Sequence, residues 1–356
     1  VNPFLGQIPY RLFRAWGRPQ VLPFNYTFSL TSRCHYRCGT CRVYQRSGSE
    51  MTAEQYRLLF LSLGRSPYWA TFSGGEPFLR QDLEEIVGDF CRMCRPKLVN
   101  IPTNGSMPGL VGDIAKRLAR AHPSSGFIVN VSIDAAGDRQ DDIRGQAGAW
   151  RNAVEAVGEL KKGRPANLTV GIGTVVSKLN LDRFREDRRI LAELGADHLV
   201  AEPAEIREEL GNKGLDITPS AEDYRPIAEH LVDEIRQDKK KGWPGLAQAF
   251  RMGYYLYVNS ILSGGKGLAC YAGFASAQVM PDGEVWACCL RGDRMGRLPE
   301  YGHDFGRLWR SETARAARRA VKARGCACPL ANAYYSNVMF NARGSAGLLA
   351  RILRPC

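Results

Sequence analysis

Three cysteines lie within eight residues of one another, Cys34, Cys38 and Cys41, spaced C-x3-C-x2-C. A second set falls late in the chain: Cys270, then Cys288 beside Cys289, then Cys326 and Cys328. Thiols clustered in this way, in a chain whose N-terminus carries no export signal, point to metal rather than to a disulfide framework. Three thiolates on one short loop can hold three irons of a cubane [4Fe–4S] cluster and leave the fourth iron open to an outside ligand. An iron with a vacancy can bind a substrate and pass it an electron. A structural zinc with His35 as fourth ligand is the alternative. Adjacent Cys34 and His35 have poor geometry for one tetrahedral site, and zinc favours paired knuckles on two loops. Cys91 and Cys94 sit three apart in a helical pattern; they could bind metal, but packing against a sheet is the expected role. His122, His198, His230 and His303 stand singly and read as structural.

The elements that must position these thiols alternate strand and helix from about residue 25 to residue 202. Strand patterns fall at 25–31, 68–72, 97–101, 127–133, 168–176 and 198–201. Helical periodicity fills the intervals at 83–95, 110–121, 150–161 and 181–194, and follows Met51, where Thr52 and Gln55 form a capping-box pair. Thr218-Pro219 is expected to open a further helix running to about Lys240. Six βα units in series require a parallel sheet with right-handed crossovers. Six is two short of a closed barrel, so the expected fold is α/β, a partial (βα)6 TIM-like barrel, with a doubly wound sheet as the alternative. The first cysteine trio then lies at the C-terminal mouth, where barrel enzymes keep their active sites. The boundaries expected are a basic extension at 1–24, a core at 25–242, and a small C-terminal domain with a basic tail at 243–356. In the last, AQVM-PDG-EVWACC reads as a hairpin and 312–324 as an Ala/Arg-rich helix.

Apolar and charged contents of 44% and 24% exclude wholesale disorder. The densest apolar stretch, 246–262, is broken by Gln248, Arg251, Asn259 and Ser260, so no spanning helix is expected and the chain reads as cytoplasmic. The formal charge of +13 is uneven. Residues 291–356 hold thirteen Lys and Arg against four acids, residues 1–24 hold three arginines and no acid, and the remainder is nearly neutral. Such ends suit an anionic partner or are simply solvated. YRLFRAW at 10–16 and the tail GLLARILR at 347–354 resemble interfacial anchors, which would place the protein on the inner face of an anionic membrane. Packing of both ends on the barrel is the alternative.

CHYRCGTC after the first strand, followed by FSGGEP at 72–77, resembles the radical S-adenosylmethionine (SAM) superfamily over about residues 25–240. The resemblance implies that Cys34, Cys38 and Cys41 bind a [4Fe–4S] cluster whose open iron is chelated by SAM. It also implies that Gly74 and Gly75 let the backbone approach the methionine moiety, that Glu76 offers an anion near its ammonium group, that Pro77 fixes the bend, and that Asn104 adds a polar contact. Ser132 and Asp134 would suit the ribose, and Ile172, Gly173 and Thr174 would lie near the adenine. Where the family commonly has an aromatic residue before the third cysteine this chain has Thr40, leaving Tyr36 or Tyr44 to stack on the adenine. Cys270, Gly283-x4-Cys288, Cys326 and Cys328 are similar to the SPASM and twitch extensions, which implies a second, auxiliary [4Fe–4S] cluster; the CxC spacing and Cys289 depart from that pattern.

The function expected is therefore an enzyme that cleaves SAM reductively to a 5′-deoxyadenosyl radical, fed by an electron donor such as flavodoxin or ferredoxin. Glu202 and Glu205, near the end of the sixth strand, are the candidate catalytic carboxylates. With only about 24 residues ahead of the first strand to hold a leader-binding module, the substrate expected is a small molecule or lipid, and a peptide is the alternative. A non-catalytic iron–sulfur or nucleic-acid-binding protein is the rival from another class; it leaves the GGEP turn unexplained, and no nucleic acid is expected as a partner.

Overall fold

The computed structural model describes residues 5–238 and 242–341. Helix α1 (Ile8–Trp16) precedes β1 (Asn25–Thr31), α2 (Ala53–Leu63), β2 (Trp69–Gly74), α3 (Leu83–Cys94), β3 (Leu98–Thr103) and α4 (Pro108–Ala121). Strand β4 (Gly126–Ser132) is followed by two helices, α5 (Asp138–Arg144) and α6 (Ala149–Lys161). Then come β5 (Leu168–Val176), α7 (Phe184–Glu193), β6 (His198–Pro203), α8 (Ala221–Gln237) and α9 (Gly242–Leu262). The chain continues through β7 (Ser276–Val279), β8 (Glu284–Trp286), β9 (Arg294–Arg297), α10 (Phe305–Trp309), α11 (Glu312–Ala323) and α12 (Ala331–Phe340).

Strands β1 to β6 pair in parallel in chain order, the partial barrel expected. The hairpin then extends the same sheet, because β7 pairs in parallel with the free edge of β1, Asn25 opposite Ser276 and Phe28 opposite Val279. Strands β8 and β9 follow in antiparallel order. A strand edge left bare would invite aggregation, and the hairpin covers that of β1.

Side chains alternate across each strand. Tyr26, Phe28, Phe72, Val99, Ile101, Val129, Val131, Val170 and Ile172 are fully buried on the helical side. There Phe28 stacks on Phe72 at 5.1 Å and meets Phe90 of α3 at 5.6 Å. Cys91 and Cys94 belong to this layer, buried, with both thiols pushed up to about 12 by burial; they pack, as expected. The opposite face is polar. Asn130 donates to Asn100 (3.0 Å) and bonds His198 (3.0 Å) across β5, which Gly171 alone permits, since a Cβ there would meet both side chains.

The capping box holds, with Gln55 N–H donating to Thr52 Oγ1 and Thr52 N–H to Gln55 Oε1. Helix α8 starts later than Thr218-Pro219. Ser220 accepts from Asp223 N–H and so outcompetes Pro219 as the start signal, leaving Thr218 and Pro219 outside. In α1, Phe13 is buried against Phe274 and Trp309, and Tyr10 packs on Phe24 and Phe340, so most of YRLFRAW is spent on packing. The tail at 347–354 lies outside the described residues.

Candidate active site

The loop carrying Cys34, Cys38 and Cys41 is anchored from three sides. Gly75 N–H donates to Thr31 O (2.7 Å) and Glu76 N–H to Arg33 O (2.9 Å), tying the GGEP turn to the residue before Cys34. Arg37 N–H and Gly39 N–H donate to Arg144 O and Ile143 O at the end of α5. Arg42 N–H donates to Leu210 O, and Asn212 Nδ2 to Thr40 O. Each sulfur faces a donor: Asn104 Nδ2 lies 3.7 Å from Cys34 Sγ, Val43 N–H 3.4 Å from Cys41 Sγ, and the Arg144 guanidinium reaches the Cys38 thiol. Burial raises the Cys34 thiol and pushes Cys41 up to about 11.

N–H groups aimed at sulfur suit cluster ligands, whose potential they tune. Among the described residues no three His, Cys, Asp or Glu side chains converge on a single-ion position. A cubane, by contrast, holds its thiolates on separate irons. His35 is exposed and its Nδ1 is engaged with Ser106 Oγ at 3.3 Å, so that nitrogen is turned away from the thiols.

The GGEP turn is packed more tightly than a ligand alone would require. A Cβ on Gly75 would land on the Arg33 carbonyl, and Gly74, at φ +126°, would drive one into the Thr31 backbone. The glycines let the turn press against the cysteine loop. Glu76 is fully buried and accepts from Asn104 N–H (2.7 Å), Thr103 Oγ1 (2.9 Å) and Phe78 N–H (3.2 Å). Burial outweighs these donors and pushes its carboxyl up to about 7. Its carboxylate thus staples β2 to β3. Pro77, also buried, begins a 3-10 turn.

The remaining expected residues divide. Asn104 reaches Cys34, as above. Ser132 and Gly173 line the barrel lumen, as does Thr174, whose hydroxyl donates to Ile133 O. Ile172 turns its side chain to the helices, so only its backbone faces the lumen side. Asp134 is buried, paired with Arg144 at 2.8 Å and accepting from Val175 N–H. Of the two aromatics, Tyr36 is buried and the Tyr44 ring is covered by the Arg37 guanidinium at 4.3 Å.

The lumen is a cavity of about 590 Å³, lined by Asn25, Thr27, Thr71, Asn100 and Asn130 from the strands and by Cys270, Cys288, Cys289, Cys326 and Cys328 from the C-terminal segment. Arg324 grips Asp293 at 2.6 and 2.7 Å, holding the segment before Cys326 against the loop after Cys288. Cys270, Cys288, Cys326 and Cys328 are electrostatic neighbours of one another. The Cys289 thiol neighbours Glu209 and Arg207 first, then Cys288 and Glu205.

Glu202, Arg207 and Glu209 also line this cavity. Glu205 is buried, accepts from Arg207 Nε at 2.6 Å through Oε2, and leaves Oε1 without a hydrogen-bond partner. Burial raises both carboxyls, Glu205 to about 7, with Arg207 opposing the shift in each. Glu209 accepts from Ser29 Oγ (3.0 Å) and from Gln278. Sequence reasoning missed Arg144, Arg207, Glu209 and Gln278. Arg207 and Glu209 lie close to Glu205 in the chain, a signal that could have found them; Arg144 ends a short polar helix with no periodicity to mark it.

A half-open parallel barrel with three thiols at its mouth and a polar lumen defines a class of metallocluster barrel. The radical SAM superfamily model matches residues 28–191. Pre-heme d1 synthase of Dinoroseobacter shibae is 30% identical over 202 residues, 54% of this chain and 46% of that protein. PqqA peptide cyclase of Granulibacter bethesdensis is 24% identical over 86% of this chain and 83% of its own. Among solved structures, native anSMEcpe with bound AdoMet and Cp18Cys peptide superposes with a TM-score of 0.61 at 16% identity, covering 93% of this chain and 99% of that one. SuiB of Streptococcus suis bound to precursor peptide SuiA gives 0.61 at 14% identity over 85% and 67%. The chain spans about half the length of several curated relatives that it matches. Residues 28–191 thus match the radical SAM superfamily, whose members bind a [4Fe–4S] cluster and SAM.

Proposed function

We propose that this chain cleaves SAM reductively and uses the radical formed to take a hydrogen atom from a polar substrate held in the lumen. The observation that carries the reading is the single cavity in which polar strand residues, buried carboxylates and the second thiol set meet. Cys34, Cys38 and Cys41 would hold the [4Fe–4S] cluster, which would supply the one electron needed to split SAM into methionine and a 5′-deoxyadenosyl radical.

The protein's own groups do the rest. The GGEP turn and Asn104 fix the loop and the mouth above it, while Ser132, Gly173 and Thr174 offer the wall along which the nucleoside lies. Asp134, neutralised by Arg144, acts from behind that wall. Cys270, Cys288, Cys326 and Cys328 hold the auxiliary cluster, with Cys289 left outside its ligand set. Glu202 faces the lumen with a raised pKa and is the proton acceptor for a substrate that loses a proton as well as a hydrogen atom. Glu205, behind Arg207, sets that guanidinium to grip a substrate carboxylate or carbonyl.

The asparagine, threonine and charged side chains on the lumen wall support a substrate that carries polar groups. The likeness to PqqA peptide cyclase along most of both chains, and to two peptide-bound structures, supports a peptide. Anaerobically reconstituted protein with SAM and dithionite is expected to form 5′-deoxyadenosine, and Cys38→Ala to form none. Fully iron-loaded protein that leaves SAM intact would favour the non-catalytic scaffold. Deuterium appearing in 5′-deoxyadenosine from labelled peptides or small molecules identifies the substrate.

A further inference from the structure

A second concavity, of about 310 Å³, lies outside the lumen between the C-terminal end of α1 and the face of α11. Arg14, Arg315, Arg318, Arg319 and Lys322 line it, and among the described residues no carboxylate does. Glu312 pairs with Arg315 (3.4 Å) and Arg319 (2.7 Å), one acid against five cations. Arg318 is 4% exposed, sandwiched between the Phe13 and Trp309 rings and bonded only to the carbonyls of Trp309 (2.7 Å) and Gly273 (3.4 Å). Burial, then the neighbouring Arg315, pushes its pKa down to about 10. Lys322 caps the Ala15 carbonyl, and Trp16 stands 76% exposed beside the cleft.

The location adds what the charge alone does not. Arg14 Nε donates to the Cys270 carbonyl at 2.8 Å, and Phe274, four residues after Cys270, forms part of the wall. The cleft is therefore the outer side of the segment that presents Cys270 to the lumen. Each SAM cleavage consumes one electron, which must come from outside the chain. We propose that this face docks an acidic one-electron carrier protein, which is oxidised by one electron there while the cluster that Cys270, Cys288, Cys326 and Cys328 would hold is reduced by one, for transfer on to the cluster of Cys34, Cys38 and Cys41. This inference rests on the reading of the late thiols as a cluster site. An acidic protein surface complements the cation-only cleft, and exposed Trp16 supplies apolar contact. A membrane is the weaker occupant, because Tyr10 and Phe13 of α1 are spent inside the fold and the cations line a concavity.

The test uses reconstituted holoenzyme and an acidic flavodoxin as probe. Arg315→Glu/Arg319→Glu is expected to weaken flavodoxin binding by about tenfold or more at low salt and to flatten its salt dependence. Flavodoxin-driven 5′-deoxyadenosine formation should fall accordingly while dithionite-driven formation stays as in the wild type. Lys322→Glu provides a second variant that leaves the Glu312 pairs intact. Unchanged binding and salt dependence in both variants would overturn the proposal. So would wild-type protein that binds phosphatidylglycerol vesicles through these residues but not flavodoxin. If dithionite-treated wild type forms no 5′-deoxyadenosine, the reading of the lumen fails instead, and the binding arm still decides the docking face.

Discussion

Gly75→Ala is the sharpest test of how the cysteine loop is held. An ideal Cβ at position 75 falls 2.7 Å from the Arg33 carbonyl carbon and 3.0 Å from Ser32 O, where ordinary contact begins at 3.4 Å. These are backbone atoms, so no rotamer can relieve the overlap, and the 32–33 backbone must retreat by roughly 1 Å in so close-packed a site. Cys34 follows immediately. A displacement of about 1 Å at a reacting centre costs about 100-fold in rate, or about 3 kcal/mol of activation free energy. The overpacking itself costs about 1–3 kcal/mol of stability, which a domain of ordinary stability survives folded. The assay is dithionite-driven 5′-deoxyadenosine formation under anaerobic conditions, with unfolding midpoint and iron content measured alongside. Gly109→Ala, where nothing lies within 4 Å, is the control expected to change neither rate nor fold. A Gly75→Ala protein that is folded, iron-loaded and within about threefold of the wild-type rate would refute the argument that the turn positions the loop by direct backbone contact.

Glu76 and Glu205 both have folded pKa values raised to about 7, so their contribution to stability is full below the ordinary carboxylate range and declines as pH rises through about 7. Glu76→Gln and Glu205→Gln should each remove part of that decline between about pH 4.5 and 7, read as urea midpoints, and the double variant most of it. Arg144→Met strands buried Asp134 and should cost about 3–5 kcal/mol, with much of the loss recovered on adding Asp134→Asn in a double-mutant cycle. Gly171→Ala pushes apart Asn130 and His198 and should lower stability by about 1–3 kcal/mol in chemical denaturation. Cys288→Ala should lose about half the iron bound on reconstitution and Cys289→Ala essentially none; equal losses would mean that both thiols serve the second site.

The barrel was readable because its strands announce themselves: the ends of β1 and β5, the Thr52–Gln55 box and the PDG turn all follow from short-range patterns. What escaped was set by tertiary contact. Helix α5 is seven residues between glycines, six of them polar, and nothing in DRQDDIR shows that its last carbonyls and Arg144 hold the cysteine loop. Helix α12 buries Tyr334, Val338 and Phe340 on more than one side, which blurs any helical period. The strand β7 was visible as half of a hairpin, but its parallel pairing to β1, some 250 residues away, is a long-range register that local sequence does not encode. Glu76 illustrates the same division. Its motif identified it, whereas its three protein donors appear only when β2 and β3 lie side by side.

One loop shows why the two thiol sets and the carboxylates belong to a single device. Within residues 204–212, Glu205 and Arg207 form the buried pair, Glu208 and Glu209 donate their N–H groups to Leu290 O (2.9 Å) and Cys289 O (3.1 Å), and Leu210 O accepts from Arg42. Asn212 closes the circuit by donating to both Thr40 O and Glu205 O. The segment is thus bonded at once to the loop of Cys38 and Cys41 and to the loop of Cys288, while its own side chains enter the lumen between them. A shift of the first thiol loop is transmitted to Arg207 and Glu209 through the backbone hydrogen bond from Arg42 to Leu210 and through Asn212, which also accepts from Arg207 N–H. Substitutions at Asn212, which does not itself line the lumen, should therefore disturb both cysteine sites together, whereas two independent sites would respond one at a time.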